Sequence, residues 1–114
     1  GDRLGGHIVS GHVDGVGEVL RFDPVGDNRL LVIRAPAALA WYIARKGSIT
    51  VNGVSLTTNA VDGCRFAINL IPHTLASTTL GGIRAGDRVN LEIDLIARYV
   101  ERMLNPEAEP AQNA

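Results

Sequence analysis

Apolar and polar residues alternate along most of the chain, and where the alternation stops, glycine or proline interrupts it. Strand-like stretches at 7–20, 48–51, 54–61, 65–71 and 88–93, with the continuous aliphatic run 29–34, predict six short strands. Gly11, Gly15 and Gly17 stud the first of these, as expected where a strand bends or bulges at a barrel corner. DPVGDN at 23–28 predicts a turn back into the aliphatic run 29–34. Asn52-Gly53 is the strongest short-range hairpin signal, and Asp62-Gly63 marks a second tight turn. In the final strand Val89, Leu91 and Ile93 share one side. Short strands joined mostly as hairpins are most economically closed into an antiparallel barrel, which leaves no exposed edge.

Three stretches change period. PAALAWYIAR at 36–45 is rich in helix formers, opens on proline and stops before Gly47, which predicts a short helix crossing one barrel end. Residues 73–79, after Pro72, read as a single helical turn. From Asp94 to Leu104, Ile96, Val100, Met103 and Leu104 recur at helical spacing, opposite Arg98, Glu101 and Arg102. That helix either packs back on its own barrel or makes an oligomer contact, and the pattern leaves both open. The expected organisation is a barrel at 1–93, a helix at 94–105 and a polar, disordered tail at 106–114.

Composition narrows the class. The 114 residues suit one domain, and 46% hydrophobic with 20% charged residues is a globular balance. Thirteen glycines with only 4% aromatics favour a small β domain with a Val, Ile and Leu core. A net charge of -1 without a basic cluster argues against nucleic acid or an anionic membrane as partner. Cys64 stands alone and cannot form an internal disulfide, so a reducing, cytoplasmic setting is expected. The only methionine is Met103, so the chain reads as a piece of a longer gene product.

The chain contains no Walker loop, no HExxH, no GxSxG elbow and no GxGxxG opening a helix. His7 and His12 are five residues apart, on opposite faces of a strand, and no metal site is predicted. What remains is a polar stripe. Ser48 and Thr50 alternate before the Asn52-Gly53 turn, Ser55 and Thr57 alternate after it, and Thr58 and Asn59 follow. Hydroxyls at alternate positions point the same way, so Ser55 and Thr57 could jointly contact a polyhydroxyl or heterocyclic ligand, although the pattern by itself favours an ordinary solvated sheet face. Lys46 is open to the same two readings. Asp94, where the last strand gives way to a helix, suits either an N-cap or catalysis.

Four segments taken in register complete the picture: GGHIVSGHVDG (5–15), KGSITVNGVSLT (46–57), IPHTLASTTLG (71–81) and GDRVNLEIDLIARYVERML (86–104). Together they resemble riboflavin synthase, specifically its C-terminal barrel and helix. The resemblance implies an all-β fold, a six-stranded antiparallel Greek-key barrel with short crossing helices and a C-terminal α-helix. In that family two such barrels precede the helix, three subunits gather through their helices as a homotrimer, and each barrel binds one 6,7-dimethyl-8-ribityllumazine. The active site forms where the N-terminal barrel of one subunit faces the C-terminal barrel of its neighbour. Four carbons pass between two lumazines, giving riboflavin and 5-amino-6-ribitylaminouracil, without an external cofactor.

The resemblance also implies roles. Ser55, Thr57, Ile71 and Thr74 match pocket positions, with Ile71 reading the pyrimidine edge through its backbone. Lys46, Gly47 and Asn52 lie in the same loop region, Asn52 standing where some relatives carry aspartate. Ser10 and Gly11 flank the pocket, while His12, Asp94 and Lys46 are the expected catalytic groups. The hydroxyl pair is expected to line the barrel mouth, holding the ring and its ribityl arm. The N-terminal barrel is missing, and Cys64 is not the counterpart of the cysteine that barrel carries. The chain alone is therefore expected to bind better than it turns over. A non-catalytic lumazine- or flavin-carrying antenna protein of the same superfamily is the alternative.

Overall fold

The strand-like stretches become strands nearly everywhere they occur. In the computed structural model of the chain, which describes residues 12–94 and 103–104, β1 is Gly15–Val25, β2 Asn28–Arg34, β3 Ser48–Val51 and β4 Val54–Thr57. They are followed by β5 (Ala60–Asp62), β6 (Arg65–Leu70) and β7 (Arg88–Ile93). Two short helices, α1 (Ala37–Ala40) and α2 (Pro72–Ser77), and one 3-10 turn (Thr79–Gly82) complete the described elements. None of these helices is long and apolar enough to cross a membrane.

Every ladder is antiparallel, in the order β4-β3-β7-β1-β2-β6-β5. The two strands at the ends of that order are consecutive in sequence, linked by Thr58 and Asn59. Thr58 N–H donates to Gly47 O at 2.9 Å, on the β3 side, whereas Asn59 N–H donates to Ala67 O of β6 at 2.8 Å. One segment therefore serves both edges, and the curled sheet is joined into a ring along the chain. This is also why the structure has seven strands where six are predicted: the strand expected at 54–61 changes partners midway.

Ring closure decides which residues are interior. Leu31, Ile33, Ile49, Val51, Phe66, Ile68, Leu70, Val89 and Leu91 fill the inside with almost no exposure, and α1 and the 3-10 turn add Leu39 and Leu80. Gly17 belongs to this interior because nothing larger fits: a Cβ there would lie 2.8 Å from Ile33 Cγ2 and 2.9 Å from Leu91 Cδ1. At Gly15 it would meet Leu39 at 2.8 Å, so glycine is what lets α1 lie against β1.

Two expected elements are shorter in the structure. The helix predicted over 36–45 is helical only at Ala37–Ala40. Beyond it the Ala44 carbonyl accepts from Gly47 N–H at 2.9 Å and from the Thr58 hydroxyl, and buried Tyr42 and Ile43 turn the chain onto the barrel. Three-residue turn bonds, Tyr42 N–H to Leu39 O and Ile43 N–H to Ala40 O, take over from the helical ladder there, and the Thr58 hydroxyl adds a tertiary anchor. The turn predicted at 23–28 contracts to Gly26-Asp27, with Gly26 at φ +61°, and β1 runs on to Val25. Most of the 94–105 helix and all of the 106–114 tail lie outside the described residues. Met103 and Leu104, which are described, are 79% and 71% exposed.

Candidate functional site: an outward hydroxyl face

The β3–β4 hairpin arranges the polar stripe. Its register sets Ser48 opposite Thr57, Ile49 opposite Leu56, Thr50 opposite Ser55 and Val51 opposite Val54. Ile49 and Val51 are buried, and Val54 and Leu56 pack against the core from β4. Because side chains alternate along a strand, the four hydroxyls must take the other face. Ser55 and Thr57 thus point outward from the barrel, which corrects the expectation that they line its mouth. The interior is already filled by aliphatic groups, and the hydroxyls form a two-by-two grid outside, with directly opposite Cβ atoms about 5 Å apart.

The grid has definite neighbours. On the β7 side Glu92 is opposite Thr50, and the β3–β7 register carried one residue past Ile93 sets half-buried Asp94 opposite Ser48. At the Thr57 end, Lys46 adopts φ +66°, and its N–H donates to Thr58 O at 2.7 Å. Gly47 O accepts from Thr58 N–H. By register Ser55, Thr57 and Asp94 share one face of the β7-β3-β4 part of the sheet, and Lys46 and Gly47 lie at its Thr57 end.

The run Thr57-Thr58-Asn59 distributes its side chains in three directions. Thr57 is exposed on the grid, Thr58 is buried, and Asn59 reaches sideways to β6. The Asn59 Oδ1 accepts from Asn69 N–H at 2.7 Å. Two residues past Asn69, Ile71 opens α2 with extended backbone (φ -84°, ψ 161°) and 49% of its surface exposed. Its carbonyl accepts from Leu75 N–H at 3.1 Å, and the carbonyl of half-buried Thr74 accepts from Thr78 N–H and hydroxyl at 3.1 and 2.7 Å. The Ile71–Thr74 turn thus follows the end of the β5–β6 ladder, just past the Asn59–Asn69 contact. It is linked to the grid through Asn59.

Two other expected site residues are set apart. Asn52 lies at the hairpin tip, about 16 Å of strand from Gly47. At φ +48° it exchanges bonds with Asn90, donating its N–H at 2.9 Å and accepting at Oδ1 at 2.7 Å. Its side-chain NH2 is the donor those bonds leave for a ligand. His12 is exposed and belongs to the chain preceding Asp14, which donates to Leu91 O at 2.8 Å and accepts from Ile93 N–H at 2.7 Å. His12 therefore stands at the Asp94 end of β7, on the side away from β3. Ser10 and Gly11 lie outside the described residues.

Three open depressions, of about 380, 550 and 260 Å³, lie elsewhere on the surface, and none is lined by a residue of the hydroxyl grid. A surface that receives only one side of a flat ligand need not be a cavity. Among the described residues, no three His, Cys, Asp or Glu side chains converge to hold a metal ion. Asn59 is the residue that sequence reasoning missed: it appears as the end of the polar run, and only the ladder order reveals that it joins two parts of the site.

The lumazine binding domain family model matches residues 10–94. The riboflavin synthase of Photobacterium phosphoreum is 49% identical over 102 residues, covering 90% of this chain and 47% of that protein. The riboflavin synthase of Brucella abortus is 48% identical over 103 residues, covering 90% and 51%. The chain spans about half the length of the curated relatives it matches. Among solved structures, LumP complexed with riboflavin superposes with a TM-score of 0.74 at 28% identity, covering 82% of this chain and 51% of that one. LumP complexed with 6,7-dimethyl-8-(1'-D-ribityl) lumazine gives 0.74 at 26%, covering 82% and 52%.

Proposed function

Because the chain belongs to the lumazine-binding domain family, we propose that it is the C-terminal half of a riboflavin synthase and binds 6,7-dimethyl-8-ribityllumazine on its outward hydroxyl face. The grid of Ser48, Thr50, Ser55 and Thr57 carries this reading. Hydroxyls both donate and accept, which suits a ribityl chain, and the Ile71–Thr74 backbone, tied toward the grid's strand by the Asn59–Asn69 bond, suits the polar edge of a pyrimidine ring. Ser55, Thr57, Ile71 and Thr74 hold the ligand, with Ser10, Gly11, Gly47 and Asn52 around them. His12, Asp94 and Lys46 are the groups assigned to proton transfer.

An open face explains how one half-site serves a two-substrate reaction. One side of the ring rests on the sheet, and the other is left for a second lumazine on the N-terminal barrel of a neighbouring subunit. The methyl at carbon 7 of the donor is acidic because its anion is delocalised over the pteridine. The assembly then contributes mainly orientation, worth about 7–11 kcal/mol for well-placed partners, and a few proton transfers. Four carbons move, giving riboflavin and 5-amino-6-ribitylaminouracil. In this reading 1–93 is the binding barrel, 94–105 is the helix that gathers three subunits in the cytoplasm, and 106–114 is a tail.

Titration of the chain with the lumazine tests this reading: the ligand's fluorescence should shift and saturate. An unchanged spectrum at high protein concentration overturns it. A second reading, a non-catalytic lumazine- or flavin-carrying antenna protein, is favoured by the likeness to LumP. Turnover by the two-barrel parent separates them, since an antenna protein holds the dye without forming riboflavin.

A further inference from the structure

The β5–β6 register pairs Ala60 with Ala67, Val61 with Phe66 and Asp62 with Arg65. Carried two residues further, it would set Thr58 opposite Asn69, and the Thr58 carbonyl would be the regular acceptor for Asn69 N–H. That bond is not made. The Thr58 carbonyl accepts instead from Lys46 N–H at 2.7 Å, and Asn69 N–H donates to the Asn59 side chain at 2.7 Å. A side-chain amide oxygen has taken the place of a main-chain carbonyl. This substitution lets the strand leave β6 while Asn69 keeps an acceptor, and it turns the Thr58 carbonyl toward the loop carrying Lys46 and Gly47.

Both halves of the ligand face depend on that exchange. On one side are Ser55 and Thr57 with Lys46 and Gly47, and on the other is the chain that leads from Asn69 into the Ile71–Thr74 turn. Thr58 is tied to the first side by its N–H, its carbonyl and its hydroxyl, which donates to Ala44 O. Asn59 is tied to the second by its N–H to Ala67 O and by Oδ1. We propose that Asn59 is a positioning residue that sets the separation between the hydroxyl grid and the Ile71–Thr74 backbone, and thereby the fit of a ring carrying a ribityl arm. The proposal rests on the lumazine-binding reading and adds to it a residue that need not touch the ligand. Asparagine suits the task because its acceptor is uncharged, short and oriented, whereas alanine gives the exposed Asn69 N–H to water and removes the tie between the two segments.

The test measures lumazine affinity by fluorescence for the full chain and for Asn59→Ala and Asn59→Asp, with thermal unfolding alongside. Aspartate keeps an acceptor at the same reach. Asn59→Asp should bind within about twofold of the parent, while Asn59→Ala should lose about tenfold or more, as expected for a lost tie that shifts the site. Its unfolding should remain cooperative. Equal affinity of Asn59→Ala and the parent overturns the proposal, as does an equal loss in both variants. Should Asn59→Ala fail to fold, Asn59→Gln decides: one methylene displaces the same amide, and full retention of affinity refutes the positioning role. If the parent chain itself ignores lumazine, the functional reading falls and the proposal falls with it; binding by the parent with no loss in Asn59→Ala removes the proposal alone.

Discussion

Ser55 and Thr57 differ from Thr58 by one or two positions and by everything around them. The first two are exposed on the outer face, and the third is 1% exposed with its hydroxyl donating to Ala44 O. Their variants should separate accordingly. Ser55→Ala and Thr57→Ala should each weaken lumazine binding about fivefold, the value of one ordinary hydrogen bond of about 1 kcal/mol, and leave the unfolding midpoint unchanged. Thr58→Val should lower stability by about 1–3 kcal/mol, because a buried acceptor loses its donor, as chemical denaturation will measure. A loss of stability in Ser55→Ala equal to that in Thr58→Val would contradict the outward placement of the grid. At this scale the sequence identified the polar run, but not which member faces inward, since alternation has two phases and only burial chooses between them.

Among the elements, the β3–β4 hairpin was the most legible. Asn52-Gly53 forms the turn with φ +48° and +83°, the strand before it keeps its expected bounds at Ser48–Val51, and the strand after it begins as expected at Val54. The reason is local: few residues other than asparagine and glycine take positive φ without cost. Gly53→Ala should therefore cost about 1 kcal/mol, measured by the denaturation midpoint, and weaken ligand binding only slightly, because the turn lies at the far end from Gly47. Gly17→Ala should cost more, about 1–3 kcal/mol, because the added methyl meets Ile33 and Leu91 inside the barrel. The helix over 36–45 was the least legible. Its composition favours helix, yet Tyr42 and Ile43 are buried in the core and Ala44 is held by the Thr58 hydroxyl, a contact distant in sequence.

For the molecule as a whole, the chain covers about half of its curated relatives. A single ligand face with an open side should bind one lumazine per chain and form little riboflavin alone. Adding a matching N-terminal barrel should raise the rate of riboflavin formation, as absorbance will follow. Turnover by the isolated chain at the rate of the two-barrel parent would contradict the need for two facing barrels.

The period of the apolar pattern, the glycines and the turn pairs determined by themselves an antiparallel β domain with its hairpins in place, because these are properties of neighbours along the chain. Four segments in register also carry the resemblance to the family, because motif order and spacing are properties of the chain alone. Only the tertiary structure decided that Val54 and Leu56 face inward and the hydroxyls outward, that Thr58 and Asn59 divide one segment between two sheet edges, and that Asn59 replaces a backbone acceptor for Asn69. Those choices depend on ring closure, which fixes what must be buried and which strands meet across a long separation in sequence. No local pattern carries that information.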